Sequence, residues 1–515
     1  MCGIVGNENI RSLWDGLVDA RGGHEFLVFE DCDGAVRRYT YAEFDALINR
    51  TANYFDSIGI RKGQNVAVQL YNSPEFISVT FALAKIGAVA VPINMQHKAE
   101  ECAFVYERCG IRAVVTEPDF QEFVCGGSCG IDTVLVCHAQ GAMLDDRVVD
   151  LDQAVAGFPD ALSCDVELDA GDVAEIMFTS GTTSCPKGVE ITHANLLYSG
   201  FYGDWEFGLT PDDRFLTTMP AFHSNFQMSA LMPVLTAGAT LVFVKKYSAR
   251  RFWKQVRAYR ATAVQAVAMM VRTMMMQPVD PHEREHEVRT VQYYLAISTD
   301  EKDAFERRFG ARLQNCYGST ESICWVLTDL PYGAGRWPSV GRVGMGYEVD
   351  IVDDEGASCP AGAVGEIVVH GIPGQTLMRG YYRDERATAE AMSADGWLRT
   401  GDKGYRDESG WFYFVDRKSN MIKRAGENIS ASEVEDVLTS HPAVSEAAVI
   451  GVDDPIRDQA VKALVVLRDG THATVDELTC YCADRLADFK VPTIMRIVDD
   501  LPHTSVGKIA KKLLH

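Results

Sequence analysis

The sequence predicts an α/β protein with more than one domain, and three observations support this. Its 515 residues exceed the size at which a single hydrophobic core normally stops growing. Up to about residue 400, amphipathic helix-like segments alternate with short apolar runs, which is typical of parallel α/β sheets. From about residue 338 to 415, short apolar runs are separated by Gly, Pro and Asp turns, which indicates a small β-rich subdomain.

Individual elements near the N-terminus follow from the spacing of apolar side chains. Residues 65–70 form an apolar run after a Lys-Gly turn, which predicts a buried strand. Residues 76–86 have helical spacing and end at Gly87, and residues 88–92 predict the next strand. This strand–helix–strand order indicates a parallel sheet.

The pattern changes again near residue 417, where a polar and basic stretch begins. We predict that it is followed by a helix, a strand and a second helix, at residues 432–440, 447–452 and 475–487. The chain is therefore expected to have two domains, with residues 1–417 in a large N-terminal domain and residues 418–515 in a small α+β C-terminal domain.

Net charge, apolar runs and cysteine spacing indicate which kinds of binding partner and cellular compartment to expect. The formal net charge of −23 argues against nucleic acid or an anionic membrane as the main partner, because both attract basic surfaces. No apolar run approaches 18 residues, and the N-terminus lacks the pattern of a signal peptide. The 14 cysteines form no CxxC pair and no zinc-like quartet, so we expect reduced thiols in a cytoplasmic protein.

One loop carries a strong chemical signal. Residues 179–188 read Thr-Ser-Gly-Thr-Thr-Ser-Cys-Pro-Lys-Gly and lie between two apolar runs. Such a loop exposes many N–H and O–H donors to phosphate oxygens, and Lys187 adds a positive charge. It is not a Walker A loop, because Gly and Lys do not stand together before Ser or Thr. The predicted phosphate-binding residues are Thr179, Ser180, Gly181, Thr182, Thr183 and Lys187.

This loop resembles the signature of the adenylate-forming superfamily of acyl- and aryl-CoA synthetases, nonribosomal adenylation domains and luciferases. The superfamily's other motifs occur in the expected order along nearly the whole chain. Longer stretches, at residues 246–250, 301–305 and 412–423, are similar to bacterial CoA ligases for carnitine-type betaines. The resemblance implies two α/β subdomains and a small β-barrel-like subdomain in the N-terminal domain, and a mobile C-terminal domain.

The resemblance also implies roles for the nucleotide motifs. In the stretch Tyr317-Gly318-Ser319-Thr320-Glu321, Tyr317 would stack on adenine, Thr320 would bind the α-phosphate and Glu321 would hold Mg²⁺. A carboxylate suits Mg²⁺, whose charge neutralises a triphosphate. Asp402 and Arg417 would contact the ribose.

Further catalytic roles come from three other motifs. Lys508, in Ser505-Val506-Gly507-Lys508, would bridge the substrate carboxylate and the α-phosphate during adenylation. His223 would lie between the acyl pocket and the thiol tunnel, as a gate or an orienting group rather than a base. Ser419 stands where the superfamily has its domain hinge, usually an Asp or Lys.

Residues 423–429 resemble the loop that serves the second half-reaction. Gly426 would let the pantetheine of CoA approach the backbone closely. Lys423, Arg424 and Lys490 are candidate contacts for CoA phosphates, although solvated basic faces would explain them equally well. Ala425 replaces a usual Gly, and the adenine-contacting segment at 294–298 is bulkier than the usual Gly- and Ala-rich one.

Position relative to the motifs suggests an acyl pocket. If the acid is a betaine such as crotonobetaine, carnitine or γ-butyrobetaine, an aromatic ring should face its trimethylammonium group, and Trp205 is the candidate. Alternatively, Trp205 and Phe201, four residues apart, simply pack within a helix. The predicted lining residues are Phe201, Trp205, His223, Phe226, Met269 and Met270.

The resemblance implies a ligase that forms an acyl-AMP and then an acyl-CoA, releasing pyrophosphate and AMP. Its substrates would be a small carboxylic acid, ATP with Mg²⁺, and CoA. Three alternatives stay open: a ligase for short- or medium-chain fatty or aromatic acids, a non-catalytic nucleotide-binding protein, and an adenylation module that loads a carrier protein. No carrier motif follows Lys508. Oligomeric state, including a homodimer, is also open.

Overall fold

The computed structural model combines helices with four β-sheets, which confirms the predicted fold class. Strands are numbered in chain order along the described residues. The structure describes residues 5–125, 130–139, 148–179, 186–294, 297, 299–323, 325–330, 333, 335–417, 421–502, 509 and 511–514.

The first sheet is parallel in its centre and antiparallel at both edges. Its order is β16-β15-β14-β13-β12-β10-β11-β1-β2. The strands from β14 to β1 in this order run in one direction, so their carboxyl ends share one edge. The strands are β1 (Glu25–Glu30), β2 (Val36–Thr40), β10 (Arg214–Thr217), β11 (Thr240–Val244), β12 (Ala263–Val267), β13 (Thr290–Tyr294), β14 (Arg312–Tyr317), β15 (Leu327–Thr328) and β16 (Arg342–Val343).

The second sheet is also mainly parallel but is antiparallel at one edge only, with the order β19-β9-β8-β4-β3-β5-β6-β7. Strands β4 to β6 are almost wholly buried, because helices cover both faces of the sheet. Only β9 and β19 run antiparallel to their neighbours. The strands are β3 (Asn65–Gln69), β4 (Val89–Pro92), β5 (Ala113–Thr116), β6 (Thr133–Val136), β7 (Val148–Asp150), β8 (Val173–Thr179), β9 (Lys187–Thr192) and β19 (Gly380–Tyr381).

Two smaller sheets follow. The predicted β-rich subdomain is an antiparallel sheet of β17 (Glu348–Val352), β18 (Gly365–His370), β20 (Trp397–Arg406) and β21 (Phe412–Arg417). Strands after residue 420 form a separate sheet with its own core. They are β22 (Met421–Arg424), β23 (Glu427–Ser430), β24 (Val444–Asp454), β25 (Asp458–Leu467) and β26 (Ile494–Ile497).

Most helices begin at a side chain that caps the first turn. Helix α3 begins after Ser73, whose hydroxyl accepts from the N–H of Phe76, and the chain turns at Gly87, whose φ is +75°. The helices are α1 (Ile10–Arg21), α2 (Tyr41–Ser57), α3 (Pro74–Lys85), α4 (Ala99–Cys109), α5 (Gln121–Cys125), α6 (Leu151–Val155), α7 (His193–Phe207), α8 (Ser224–Phe226), α9 (Met232–Ala237), α10 (Phe252–Ala258), α11 (Ala268–Met275), α12 (Thr299–Phe309), α13 (Glu385–Ala391), α14 (Ala431–Ser440) and α15 (Val475–Ala483).

Two global expectations concern membranes and thiols. Among the helices in the described ranges, none combines the length and the apolar character that crossing a bilayer requires. The nine cysteines whose state the structure describes are free thiols.

Candidate active site

A cleft of about 1220 Å³ lies where the carboxyl ends of the two parallel sheets meet. The ends of parallel strands are the usual place for ligands in α/β proteins, since the connecting loops gather there. The two smaller sheets also contribute to its wall. The predicted residues that line it are Thr179, Lys187, His223, Tyr317, Gly318, Thr320, Glu321, Asp402, Lys423, Gly426 and Lys490.

Glu321 is held at the end of the phosphate loop. Its Oε1 accepts from the hydroxyl of Tyr381 at 3.0 Å and from Thr179 Oγ1 at 3.4 Å. The ammonium of Lys187 lies over the ring of the same Tyr381, 4.8 Å from its centroid. Strands β8 and β9 and the short β19 thus bring hydroxyls and a cation to the carboxylate of Glu321, which follows β14, and this combination suits a magnesium-bound phosphate.

Thr320 and His223 meet through Ser224. The Ser224 hydroxyl lies 3.2 Å from Thr320 Oγ1 and 3.4 Å from His223 Nδ1. His223 Nδ1 also accepts from the backbone N–H of Asn225, at the start of α8. Burial lowers the pKa of His223 to about 4, so the ring is neutral at pH 7. With Nδ1 accepting, the ring proton is on Nε2, and His223 is a hydrogen-bond donor at that atom.

The predicted ribose residues also lie together. The hydroxyl of Tyr317 donates to Asp402 Oδ2 at 2.8 Å, and its ring packs at 6.2 Å on Phe414. Asp402 stands opposite Arg417 in the pairing of β20 with β21, so the backbone places the two predicted ribose contacts side by side.

Several predicted positions lie outside the described residues, and their roles stay predictions. They are Ser180, Gly181, Thr182 and Thr183 of the phosphate loop, the hinge Ser419, the catalytic Lys508 and the side chain of Arg417.

The loop between β22 and β23 faces the cleft. Gly426 has a φ of +90°, and a Cβ built there would lie 4.0 Å from Val267 Cγ1, at the end of β12. Lys423 lies over the ring of Phe414, 4.2 Å from its centroid. Burial in the cleft wall raises the pKa of the Glu427 carboxyl to about 7. This loop therefore closes the cleft from the C-terminal side.

Ala425 has a φ of +53°, in the left-handed region that an L-residue disfavours. Because Gly accepts this conformation freely, Ala425→Gly is expected to leave stability unchanged or raise it by up to about 1 kcal/mol. Calorimetric unfolding measures the effect. As a control, Ala431→Gly in the first turn of α14 should destabilise, since Gly weakens a helix. Equal destabilisation by both changes would contradict strain at Ala425.

Two of the predicted CoA contacts are already engaged. Lys490 is buried and donates to Glu101 at 2.6 Å and to Glu433 at 2.7 Å. Arg424 is 9% exposed, donates to the carbonyl of Phe489, and is absent from the described lining of the cleft. In this arrangement neither cation presents a solvated charge to CoA phosphates, because each is paired inside the protein.

The structure places most of the predicted acyl-pocket residues away from the described lining of the cleft. Of the six residues, only His223 is among the described residues that line the cleft. Phe201 faces a shallow surface depression beside α1, and Trp205 packs edge-on against Tyr202 within α7. Phe226 is fully buried and stacks on Phe243 at 4.4 Å. Met269 and Met270 pack into the core from α11.

A different aromatic pair lines the cleft. Tyr294, at the end of β13, stacks on Trp325 with centroids 4.8 Å apart and an angle of 26° between the rings. The Tyr294 hydroxyl lies 3.2 Å from the sulfur of Met219, which begins the segment leading to His223. Ile323 also lies in the cleft wall and has a φ of +68°, which is strained for a β-branched residue. This backbone turn comes two residues before Trp325.

Sequence reasoning missed Tyr381, Ser224 and this aromatic pair. None of them carries a formal charge, and Tyr381 reaches Glu321 only because β19 pairs with β9, about 190 residues earlier in the chain. One indication of this pair was present in the sequence: Tyr294 begins the segment at 294–298, which is bulkier than the usual Gly- and Ala-rich one.

Comparisons with known proteins identify the same family along most of the chain. A profile described as AMP-binding enzyme matches residues 17–382, and one described as AMP-binding enzyme C-terminal domain matches residues 433–508. A crotonobetaine/carnitine–CoA ligase of Citrobacter koseri is 48% identical over 514 residues, with 99% of each chain covered.

Two solved structures share the fold. A double mutant of o-succinylbenzoate CoA synthetase from Bacillus subtilis, bound with its product analogue OSB-NCoA, is 27% identical with a TM-score of 0.86, over 99% of this chain and 98% of that one. ATP-bound MatB from Rhodopseudomonas palustris is 26% identical with a TM-score of 0.72, over 98% of each. The chain belongs to the AMP-binding enzyme family of the adenylate-forming superfamily and is an AMP-forming acyl-CoA synthetase.

Proposed function

We propose that this enzyme joins a carnitine-type betaine to CoA in two steps within the one cleft. The carboxylate attacks the α-phosphate of ATP and displaces pyrophosphate, and the CoA thiol then attacks the acyl carbon and displaces AMP. The observation that carries the proposal is the meeting of Thr179, Lys187 and Glu321 with Tyr317 and Asp402 in a cleft closed by the Gly426 loop. ATP and CoA as substrates, together with free thiols, fit a cytoplasmic enzyme.

The first step depends on neutralising the phosphates. Glu321 is the residue that would hold Mg²⁺, since its carboxylate and the neighbouring hydroxyls are the hard oxygen donors that this ion prefers. The ion would neutralise phosphate charge and orient the triphosphate. Lys187 adds a cation at the phosphate loop, and Asp402 accepts from the ribose hydroxyls. Thr320 and neutral His223, joined by Ser224, orient the acyl-phosphate region.

The two steps need different arrangements of residues 1–417 and 418–515. The arrangement described here has Gly426 and Glu427 in the cleft. Its TM-score is 0.86 with the neighbour bound to a CoA product analogue and 0.72 with the ATP-bound neighbour. The two neighbours have almost the same sequence identity to this chain, 27% and 26%. Both observations support assigning this arrangement to the CoA step, with Lys508 entering the cleft only for adenylation.

Tyr294 and Trp325 are the proposed contacts for the trimethylammonium group, in place of Trp205. They are 6% and 8% exposed, so a cation beside them is largely removed from water. Quaternary ammonium groups are recognised by such aromatic side chains, with about 0.5–2 kcal/mol from each desolvated contact.

Replacing Trp325 with Leu is expected to lower the preference for carnitine over an uncharged isostere by about 2- to 30-fold in kcat/KM, because the cation–π contact is lost. Trp205→Leu is the matched control: it removes a partly buried indole outside the cleft and should leave the preference unchanged. The hypothesis fails if both variants keep the wild-type preference, or if Trp205→Leu alone loses it.

One experiment tests the proposed function as a whole. Pyrophosphate exchange is measured over a panel of betaines, fatty acids and aromatic acids, with thioester formation followed after CoA is added. Exchange and thioester with betaines support the proposal. Activity only with fatty or aromatic acids points to the alternative ligase, and no exchange with any acid points to a non-catalytic nucleotide-binding protein.

A further inference from the structure

A buried cluster of three charges joins the two domains at the rim of the cleft. Lys490 precedes β26 in the C-terminal domain, and its ammonium lies between Glu101 of α4 in the N-terminal domain and Glu433 of α14. The three side chains are 5%, 10% and 14% exposed. Lys490 therefore bonds both domains at once, away from water.

The charges in the cluster favour the pairing. Burial by itself lowers the pKa of Lys490, but the carboxylates of Glu433 and Glu101 outweigh this effect and raise it, so the ammonium stays protonated. Burial of Glu433 raises the pKa of that carboxyl, against the effect of Lys490. The adjacent His97 is buried, with its pKa lowered to about 4, and is neutral. Lys490 is thus the cation that balances two buried acids.

A second ion pair joins the two domains inside the cleft. Arg272 of α11 donates to Asp458 of β25 at 2.7 Å, and its other side is held by Glu301 of α12 at 2.7 Å. Arg272 and Asp458 both line the cleft. Two further cross-domain pairs, Lys98 with Asp488 and Arg485 with Glu100, are exposed and contribute little.

The structure shows these pairs together with the Gly426 loop facing the cleft. Rotation of the C-terminal domain would separate Lys490 from Glu101 and Asp458 from Arg272, because each pair has one member in each domain. Once separated, the charged side chains regain their hydration, which offsets part of the lost attraction. The pairs can therefore break and re-form, and stronger pairs would hold this domain arrangement for longer.

We propose that Lys490, Glu101 and Glu433 form a latch, assisted by Arg272 and Asp458, that holds the C-terminal domain in the arrangement for acyl transfer to CoA. These are positioning residues, since their bonds act on the domain and not on the reacting atoms. The assignment to the CoA step rests on the proposed two-step function. Lys490 is thereby removed from the candidate contacts of CoA.

Glu101→Gln tests the latch with little change in shape. Glu101 Oε2 also accepts from the N–H of Lys98 at the start of α4, and Gln can keep that cap. We expect acyl transfer from supplied acyl-AMP to CoA to slow about tenfold, and pyrophosphate exchange to stay unchanged or rise. Asp488→Asn, at an exposed pair of the same interface, is the matched control and should change neither step. Equal slowing of both steps by Glu101→Gln would overturn the proposal.

Charge exchange separates the latch from a general loss of structure. Lys490→Glu places three carboxylates together and should slow acyl transfer more than Glu101→Gln does. Adding Glu101→Lys to Lys490→Glu restores the cross-domain ion pair with its charges exchanged, although the carboxylate at position 490 then lies beside Glu433, and should recover part of the rate. Failure of the double variant to exceed the single variant would contradict a latch based on charge.

A measurement without substrate completes the test. Amide hydrogen exchange in the free enzyme should rise around α4 in Glu101→Gln and Lys490→Glu, and return in the double variant, because the latch covers that helix. Unchanged exchange overturns the latch whatever the acid substrate proves to be. Absence of thioester in the wild type, with the exchange pattern as expected, overturns only the proposed function.

Discussion

Replacing Glu321 with Gln is expected to lower the rate of pyrophosphate exchange by about 10²–10³-fold. The decrease should appear in kcat/KM for Mg·ATP. Gln keeps the size of the side chain and can still accept from Tyr381 and Thr179. It lacks the negative charge that would hold Mg²⁺ against the triphosphate. The expected loss is therefore electrostatic, and excess Mg²⁺ should recover part of it.

Glu390→Gln provides a control for Glu321→Gln. Glu390 is a carboxylate at the exposed rim of the same cleft, so its replacement changes the net charge equally. Pyrophosphate exchange is measured for both variants across a series of Mg²⁺ concentrations. A similar loss in the two variants, or a loss in Glu321→Gln that is independent of Mg²⁺, would contradict the metal-holding role.

Lys508→Ala is expected to slow adenylation by about 10²–10³-fold while acyl transfer from supplied acyl-AMP continues. The reason is that the in-line attack on the α-phosphate develops negative charge, which the proposed lysine stabilises in that step alone. Single-turnover measurements of each half-reaction would show the difference.

The Lys508→Arg variant is the matched control, because it keeps the cation on a longer side chain. It should retain more of the adenylation rate than Lys508→Ala does. Equal loss of both half-reactions in Lys508→Ala would remove the lysine from its proposed role. Together with Glu101→Gln, which is expected to affect the opposite step, the variant separates the two halves of the reaction.

Short motifs, read through their resemblance to the adenylate-forming superfamily, identified residues that the structure brings together on one side of the cleft. Tyr317 ends β14, Lys187 begins β9 and Asp402 lies within β20, and the fold brings all three short motifs to the same cleft. The acyl side could not be predicted in this way. Its aromatic wall, Tyr294 and Trp325, comes from segments about 30 residues apart in the chain that meet only in the folded sheet.

Helical rotation explains why the predicted residues of α7 lie away from the cleft. Tyr198 and Tyr202 of α7 point toward Tyr347 and the chain that carries Trp325, whereas Phe201 turns toward α1. Sequence position near a motif does not fix which face of a helix meets the cleft, because neighbouring residues differ by about 100° around the axis.

Burial explains why the basic residues near the C-terminus were hard to assign. Composition cannot distinguish a solvated Lys from one enclosed by acids, and the partners of Lys490 are 57 and 389 residues away. Arg424 likewise finds its acceptor only through the fold of its own domain.

The stacked Tyr294 and Trp325 have a consequence for how this enzyme could diversify. Apart from the pairing of β12 with β13, the described hydrogen bonds of the two residues join the Tyr294 hydroxyl to Met219 and the Trp325 carbonyl to Tyr202, and none of them involves Glu321, Asp402 or Lys187. If this ring pair contacts the acid as proposed, exchanging it would alter which acid fits and would leave the hydrogen bonds of Glu321 and Asp402 intact. Under the proposed function, the acid specificity of this enzyme could therefore be redesigned at two positions that are separate from the proposed ATP contacts.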